Sequence, residues 1–259
     1  MTIATSRYAQ SAADYMRRPV RTVAHDTDLA TVFAMLNRFR ISGVAVSEES
    51  STGSPVLGVV TRTDLLALPD LPHASDGRTA ADIMTKDVIA LAADTPVRDI
   101  ARTMVDQNIH RVFIVGGSRL VGVITPHELI RAIVDARHPT PISEYVTRPV
   151  LAVLPEISLR DARAHLQEEG VSGLVVVHDE WPIGVFTQRE ALAYSRIPGD
   201  ASLEGLYSPG LVCLSHTTPL HRAATQALAA NVKRVLSMNG CEVDGIVSGM
   251  DLARAVADG

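Results

Sequence analysis

The organisation of this chain is decided by residues 109–128, which have the sequence IHRVFIVGGSRLVGVITPHE. Two apolar runs, residues 112–115 and 122–124, lie on either side of the turn residues Gly116 and Gly117, and this pattern predicts a β-hairpin. Thr125 and Glu128 follow the second run at the predicted start of a helix. The stretch therefore predicts a strand, a turn, a second strand and a helix in direct succession.

The same succession occurs four times along the 259 residues. Four anchor residues mark the frame at intervals of 68, 62 and 61 residues: Met16, Met84, Val146 and Tyr207. A predicted helix and a short apolar strand follow each anchor, and the second strand of each hairpin then ends in a common pattern: Gly58-Val59-Val60-Thr61, Gly122-Val123-Ile124-Thr125, Gly184-Val185-Phe186-Thr187 and Gly245-Ile246-Val247-Ser248. Each repeat is a β-α-β-β-α unit of about 50 residues, too small to bury a good core alone, so we expect the units to pair in an α+β fold.

This repeat resembles the cystathionine-β-synthase (CBS) domain, in four copies over residues 14–68, 80–135, 142–196 and 203–257. The resemblance implies that consecutive copies pack sheet to sheet as pseudo-twofold pairs called Bateman modules, the first over 1–136 and the second over 142–259. The residues before the central strand alternate between small and basic pairs along the four copies, which suggests duplication of an ancestral pair. These pairs are Ser42-Gly43, His110-Arg111, Ser172-Gly173 and Lys233-Arg234.

Composition restricts the partners and the compartment. With 24 Lys+Arg against 29 Asp+Glu, the net charge of −5 argues against a general binder of nucleic acid or of acidic membranes. No apolar run approaches the roughly 20 residues that cross a bilayer, and the first residues lack the apolar core of a signal peptide. We therefore expect a cytoplasmic protein without a membrane or nucleic-acid partner. Cys213 and Cys241 form no recognisable disulfide or zinc pattern and are expected to be ordinary buried thiols.

The first candidate binding pattern is [Ser/Thr]-x-x-[Asp/Glu] at the junction between the last strand and the last helix. In the resembled family, the Asp of this pattern binds both ribose hydroxyls of an adenosyl ligand, and the hydroxyl residue lies near its phosphates at the helix N-terminus. The alternative is a helix capping box, which prefers the longer Glu, so the Asp copies are the predicted ligand sites. These are Thr61 with Asp64 and Ser248 with Asp251, whereas Thr125 with Glu128 and Thr187 with Glu190 are weaker candidates.

The second candidate pattern is the pair of basic residues in alternate copies. In the γ subunit of AMP-activated kinase, which the chain resembles here, a His-Arg pair at this position contacts nucleotide phosphates. His110-Arg111 and Lys233-Arg234 are therefore predicted phosphate contacts, with a solvated surface pair as the alternative. Gly43 and Gly173 would allow a ligand to approach the backbone, with ordinary turn geometry as the alternative. Arg163 replaces a small or aromatic residue of the other copies and could add a further positive charge, or could only extend along an edge.

No pattern for catalysis or for a metal is recognisable, so we predict no catalytic residues, no metal, no cofactor and no enzymatic activity. The predicted function is a stand-alone regulatory module that senses an adenosyl ligand, most simply AMP, ADP or ATP, and transmits to an unidentified effector protein. The alternative is a structural dimerisation or adaptor protein with vestigial ligand sites. The resemblance assigns the apolar faces of the last helices to contact between modules. Because Pro139 and Pro141 restrict the linker, we expect that contact between two chains, in a homodimer.

Overall fold

The computed structural model describes residues 6–49, 55–69, 77–117 and 119–259. Within these ranges the chain forms four three-stranded sheets with helices. In each sheet the first strand pairs in parallel with the second, and the second pairs antiparallel with the third. The predicted α+β fold and the β-α-β-β-α repeat are confirmed in all four copies.

The helices and strands follow the same order in each copy. The first copy contains α1 (Ala12–Tyr15), β1 (Thr22–Ala24), α2 (Leu29–Arg38), β2 (Gly43–Ser47), β3 (Val56–Thr61) and α3 (Arg62–Leu66). The second contains α4 (Ala80–Ile83), β4 (Ala90–Ala92), α5 (Val97–Asp106), β5 (Val112–Gly116), β6 (Arg119–Ile124) and α6 (Pro126–Asp135). The third contains a 3-10 turn (Ile142–Glu144), β7 (Ala152–Val153), α7 (Leu159–Glu168), β8 (Gly173–His178), β9 (Trp181–Thr187) and α8 (Gln188–Ala193). The fourth contains β10 (Cys213–Ser215), α9 (Leu220–Ala229), β11 (Val235–Asn239), β12 (Glu242–Val247) and α10 (Gly249–Asp258).

The helix between the first two strands begins at a side-chain cap in copies 1 and 3. Asp28 caps α2 by accepting a hydrogen bond from the Thr31 backbone N–H at 2.9 Å, and Ser158 caps α7 by accepting one from Asp161 at 3.1 Å. The apolar stripe of this helix faces the core in each copy, as the fully buried Val32 and Met104 illustrate. Helix period and cap together explain why these segments are helical.

The leading segment of each copy, which precedes its first strand, packs on the sheet of a different copy. Arg17, from the first leading segment, exchanges two backbone hydrogen bonds of 2.9 and 3.2 Å with Val123 in β6 of copy 2. Thr85, from the second, exchanges two of 2.9 and 3.0 Å with Val59 in β3 of copy 1. Copies 3 and 4 make the same exchange, through Thr147 with Ile246 and through Ser208 with Val185. Consecutive copies are therefore linked by a reciprocal exchange of leading segments.

The hairpin glycine of the repeat makes room for this exchange. A Cβ atom built on Gly184 would collide with the ring of Tyr207 and would lie 2.6 Å from the Ser208 carbonyl oxygen. The other three glycines face the anchor of the exchanged segment in the same way: Gly58 faces Met84, Gly122 faces Met16, and Gly245 faces Val146. The anchors and glycines that define the repeat in the sequence are thus the two sides of one contact.

The chain divides into two compact units, and each unit is built from alternate copies. Unit 1 consists of the described parts of Met1–Val20, Ile89–Val150 and Leu211–Gly259, which hold the bodies of copies 2 and 4. Unit 2 consists of the described parts of Arg21–Val88 and Leu151–Gly210, which hold the bodies of copies 1 and 3. Neither unit is a continuous stretch of sequence, because each combines alternate copies, and the exchange of leading segments also places the described part of Met1–Val20 in unit 1.

Each unit encloses its own apolar core. In unit 1, α10 packs against α5 and α6, and α6 also packs against α9, so that Ile130 and Val256 are almost completely buried. In unit 2, α3 packs against α8, and Gln188 in α8 donates a hydrogen bond of 3.0 Å to the Thr63 hydroxyl in α3. The last helices of two copies therefore cover each other within a single chain.

The linker between copies 2 and 3 is hydrogen-bonded along copy 4. Pro141 forms a β-bridge with Pro219, and the Ile142 N–H donates to the Thr218 carbonyl at 2.9 Å. His138, only 2% exposed, lies between the hydroxyls of Tyr8 and Tyr145, at 2.6 and 3.2 Å from its ring nitrogens. The expectation that the prolines prevent the helices from meeting within one chain was wrong, because the linker is bound along copy 4. A homodimer stays a prediction, but it is not needed to cover these helices.

Candidate functional site

All four [Ser/Thr]-x-x-[Asp/Glu] patterns form capping boxes at the start of the last helix. Asp64 Oδ2 accepts hydrogen bonds from the Thr61 N–H at 2.7 Å and from its hydroxyl at 2.8 Å. Asp251 Oδ2 accepts from the Ser248 N–H at 2.6 Å and from its hydroxyl at 2.7 Å. The expectation that the shorter Asp caps less well than Glu was therefore wrong, because the backbone at this junction brings the cap N–H within reach of either side chain.

Asp64 and Asp251 differ in the hydrogen bonds made by their second carboxylate oxygen, Oδ1. Asp251 is completely buried, and its Oδ1 accepts hydrogen bonds from the Thr147 hydroxyl at 2.7 Å and from the Arg254 guanidinium. Asp64 is half-buried, and its Oδ1 has no hydrogen-bond partner among the described residues. A ribose role for either residue stays a prediction. At Asp251 the ligand would have to displace Thr147 or Arg254, whereas at Asp64 an acceptor is available.

The two Glu copies also differ from each other. Glu128, 9% exposed, accepts from the Thr125 N–H at 2.9 Å and from the Thr125 hydroxyl. Glu190, 6% exposed, bonds Thr187 in the same way and also pairs with Arg189, 2.6 Å from its guanidinium. Glu190 therefore forms an ion pair with Arg189 in addition to its capping box.

Unit 1 contains the basic pairs of both copy 2 and copy 4. His110-Arg111 lies just before β5, and Lys233-Arg234 just before β11, at equivalent positions of the two sheets. Burial lowers the pKa of the His110 imidazole, and the neighbouring Arg111 guanidinium lowers it further. We call these four residues, with His127 and Arg17, the cationic cluster.

His127 and Arg17 are members that the sequence patterns did not indicate. Burial lowers the pKa of His127, and the positive charges of Lys233 and Arg17 act in the same direction against the opposing effect of Glu128. The Nδ1 atom of His127 is buried and has no hydrogen-bond partner within the described residues. In the sequence, the only feature that could have indicated His127 is its position two residues after the cap residue Thr125. His127 therefore combines a buried, unsatisfied nitrogen with the nearby positive charges of Lys233 and Arg17, a combination that favours an anion.

The small pairs that alternate with the basic pairs along the four copies lie in unit 2. Gly43 and Gly173 are the first residues of β2 and β8, and each stands directly opposite the cap residue of its own copy, Thr61 or Thr187. They are strand residues rather than turn residues. The four basic residues predicted as phosphate contacts are in unit 1, and the two glycines with Asp64 are in unit 2.

The remaining predictions concern thiols, metals and membranes. Cys213 and Cys241 are both exposed and free, so the expectation of buried thiols was wrong: Cys213 lies in the short strand β10 and Cys241 in the turn between β11 and β12. Within the ranges that the structure describes, no group of three or more His, Cys, Asp or Glu residues could hold a metal ion. None of the helices described has both the length and the apolar character that crossing a lipid bilayer requires.

Comparison with known proteins assigns the class of this chain. The CBS domain family model matches residues 12–70, 80–135 and 142–196, which together make up most of the sequence. The chain belongs to the CBS domain family. The structure adds a fourth copy, over β10 to α10, with the same strand pairing as the other three.

The relatives share the fold along almost the whole chain. The MJ1225 protein of Methanocaldococcus jannaschii, described as a candidate archaeal homologue of g-AMPK, superposes with a TM-score of 0.81 at 17% identity, over 94% of this chain and 99% of its own. A conserved protein of Pyrococcus horikoshii superposes with a TM-score of 0.68 at 15% identity, over 95% of this chain and 99% of its own.

Two curated relatives are longer than this chain. An uncharacterised 33.4 kDa protein from a ribosomal RNA operon of Thermofilum pendens is 26% identical over 73% of this chain, and MJ1404 of M. jannaschii is 24% identical over 95% of it. The matched regions make up 65% and 61% of those two proteins, so the chain spans less than two thirds of their length.

Proposed function

We propose that this chain is a regulatory module that binds an adenosyl ligand carrying phosphates, with AMP, ADP and ATP as the preferred class, and that it transmits binding to a partner protein in the cytoplasm. The observation that supports this most directly is the cationic cluster of unit 1. His127, whose Nδ1 atom is buried without a partner among the described residues, interacts electrostatically with Lys233 and Arg17, and positive charge of this kind stabilises a phosphate.

The mechanism follows from how ligand energy is coupled to conformation. A ligand shifts an equilibrium between two arrangements only by the difference in its affinity for them. Each leading segment is hydrogen-bonded to the sheet of one copy and continues along the chain into another, and in this proposal that covalent connection carries a change at one cap to the next copy. In this proposal the partner protein recognises the arrangement that the nucleotide favours.

A structural adaptor is the second candidate, and one observation favours it. Every carboxylate of the four patterns is already used in a capping box, and Asp251 has both oxygens bonded within the protein. These contacts stabilise the fold without any ligand. The adaptor proposal therefore predicts that no adenosyl compound binds.

Calorimetric titration with AMP tests the proposal and separates it from the adaptor. We expect Arg111→Gln or Arg234→Gln to weaken AMP binding about tenfold or more, because a charge-assisted hydrogen bond to phosphate is lost. Adenosine, which has no phosphate, should bind the variants as it binds the wild type. Arg119→Gln, an exposed arginine at the start of β6 in the same unit, is the matched control.

Thermal unfolding in the presence of nucleotides is a second test, and it can overturn the sensor proposal. A nucleotide at 100 times its dissociation constant should stabilise the protein by about 2.7 kcal/mol. If AMP, ADP, ATP and S-adenosylmethionine at millimolar concentration leave the melting temperature unchanged, the sensor proposal is wrong and the adaptor proposal is favoured.

Nucleotide affinity should also depend on pH. Because burial and neighbouring cations lower the pKa values of His110 and His127, both rings are neutral at pH 7.5 in the free protein. A nearby phosphate favours the imidazolium form and raises these pKa values, so binding takes up protons and AMP affinity rises as the pH falls from 8 to 6. Titrations in two buffers of different ionisation enthalpy measure this uptake.

A histidine variant separates this uptake from protonation of the ligand itself. The double variant His110→Asn, His127→Asn should retain only the proton uptake that belongs to AMP. His178→Asn, at an exposed position with 57% of its side chain accessible, should behave as the wild type. Equal proton uptake by the wild type and the double variant would show that neither ring meets the phosphate.

A further inference from the structure

His138 links the two leading segments of unit 1. Its side chain is almost completely buried, and its ring nitrogens lie 2.6 Å from the Tyr8 hydroxyl and 3.2 Å from the Tyr145 hydroxyl. Tyr8 belongs to the leading segment of copy 1, which packs on copy 2, and Tyr145 belongs to that of copy 3, which packs on copy 4. We call these three residues the Tyr-His-Tyr cluster. One imidazole therefore bonds both stretches of chain that cross between copies in this unit.

The cluster is packed closely around the imidazole. The completely buried Tyr8 ring stacks on His138 with the ring centroids 5.9 Å apart, and the Tyr145 ring meets it edge-on at 5.5 Å. The backbone of His138 is bonded as well: its N–H donates to the Ile133 carbonyl at 3.3 Å, and its carbonyl accepts from the His221 N–H at 3.0 Å. Because the side chain is only 2% exposed, bulk water cannot solvate a charge on this ring.

The two hydrogen bonds suit a neutral imidazole better than an imidazolium. A neutral ring has one N–H donor and one acceptor nitrogen, so it can accept a hydrogen bond from one tyrosine hydroxyl and donate one to the other. An imidazolium donates from both nitrogens, and the hydrogen of the buried Tyr8 hydroxyl would then have no acceptor among the described residues. A buried donor without an acceptor costs free energy, so protonation of His138 works against this arrangement.

The charged groups around His138 do not compensate a positive ring. Burial lowers the pKa of the imidazole, the positive charges of Arg7 and His221 lower it further, and Asp258 opposes them. Besides the two tyrosines, the elements that meet at the cluster contribute these charged and titratable side chains: Arg7, Arg98, Arg137, Glu144, His221 and Asp258. Because the three arginines outnumber the two carboxylates, a proton added to His138 meets net repulsion.

We propose that the Tyr-His-Tyr cluster is a pH-sensitive switch: neutral His138 holds the leading segments of copies 1 and 3 on unit 1, and its protonation in mildly acidic solution releases them. In the folded protein the pKa of His138 lies below its ordinary value of 6.5. The stabilisation by the neutral ring is therefore present above that value and is lost as the pH falls through the lower pKa of the folded state. This inference goes beyond the proposed function, because it involves no nucleotide and no residue of the cationic cluster.

Hydrogen exchange of single amides, measured by NMR without any nucleotide, tests the release. The Ala12 N–H in the leading segment of copy 1 donates to the Thr95 carbonyl at 2.8 Å, and the equivalent Ala80 N–H in unit 2 donates to the Thr27 carbonyl at 2.8 Å. Both exchange rates are measured at pH 7.5 and at pH 5.5, and each is divided by the intrinsic rate at that pH. We expect the protection of Ala12 to fall severalfold at the lower pH, up to about tenfold, which is the limit for one group with an ordinary pKa of about 6.5. The protection of Ala80 should not change.

His138→Asn is the matching variant, because its carboxamide oxygen can accept the hydrogen of the Tyr8 hydroxyl and the side chain does not titrate. The protection of Ala12 in this variant should be the same at both pH values. The double variant His110→Asn, His127→Asn should keep the pH dependence of the wild type. That result would separate this switch from the proton uptake expected at the nucleotide site.

The proposal is overturned if Ala12 and Ala80 lose the same protection at pH 5.5, or if the pH dependence of Ala12 persists in His138→Asn. It is also overturned if the Phe113 N–H of β5, which donates to the Ile89 carbonyl at 2.9 Å, loses as much protection as Ala12, because unit 1 would then open as a whole. Should His138→Asn fail to fold, the comparison of Ala12 with Ala80 and Phe113 in the wild type and in the double variant still decides.

Discussion

Replacing Gly184 with alanine is expected to destabilise the protein by about 3 kcal/mol, at the upper end of what overpacking usually costs. The new Cβ atom would collide with the Tyr207 ring and lie 2.6 Å from the Ser208 carbonyl oxygen. That carbonyl also accepts a backbone hydrogen bond of 2.8 Å from Val185, so it cannot move away without breaking the exchange between copies 3 and 4. The melting temperature should fall by about 6–12 °C, measurable by calorimetry.

Gly116→Ala is the matched control for this prediction. Gly116 also lies in a hairpin strand, but a Cβ atom there would meet only the side chain of Val121, at 3.2 Å. We expect its effect to stay below about 1 kcal/mol. If Gly184→Ala unfolds within about 0.5 kcal/mol of the wild type, the leading segment of copy 4 is not fixed on copy 3 as described.

Asp251→Ala should be similarly damaging, with an expected loss of about 2–3 kcal/mol. The carboxylate is completely buried and accepts hydrogen bonds from the Ser248 N–H, the Ser248 hydroxyl, the Thr147 hydroxyl and Arg254. Without it, the half-buried Ser248 loses the acceptor of its cap, whereas the exposed Thr147 and Arg254, the latter with 47% of its side chain exposed, can reach water. Urea unfolding of the variant measures the loss.

Asp64→Ala provides the comparison in the other unit. Asp64 is half-buried and uses one oxygen in its capping box, so its replacement should cost about 1 kcal/mol. If this residue binds ribose, the variant should also lose AMP affinity by about tenfold. A variant of Asp251 that keeps its stability but loses AMP binding would contradict the structural role assigned to that residue.

The repeat, the hairpins and the β-α-β-β-α order of the elements could be predicted because they depend on local periodicity. The anchors Met16 and Tyr207 were recognisable as markers of the frame, but not as residues that pack against the glycines of another copy. That contact joins distant parts of the chain, and no spacing within one repeat encodes it.

The candidate site was less predictable, because it depends on surroundings rather than on residue type. Asp64 and Asp251 are both aspartates at the same position of the pattern. They differ because Asp251 also accepts hydrogen bonds from Thr147 and Arg254. His127 carries no recognisable motif, and the structure identifies it through a buried nitrogen that has no partner among the described residues. The thiols were misjudged because Cys213 lies on the exposed face of the short strand β10 and Cys241 lies in a turn, and residue type alone decides neither.

The exchange of leading segments also determines when each unit can form during protein synthesis. Unit 1 needs both residues 6–20 and α10, so its core cannot close until nearly the whole described chain has left the ribosome. At about 5–20 residues per second, Tyr8 and its apolar neighbours wait roughly 10–50 s for their packing partners. Unit 2 is complete once residue 210 has been made. Synthesis therefore imposes an order in which unit 2 closes first, while the earliest segment of the chain is buried among the last.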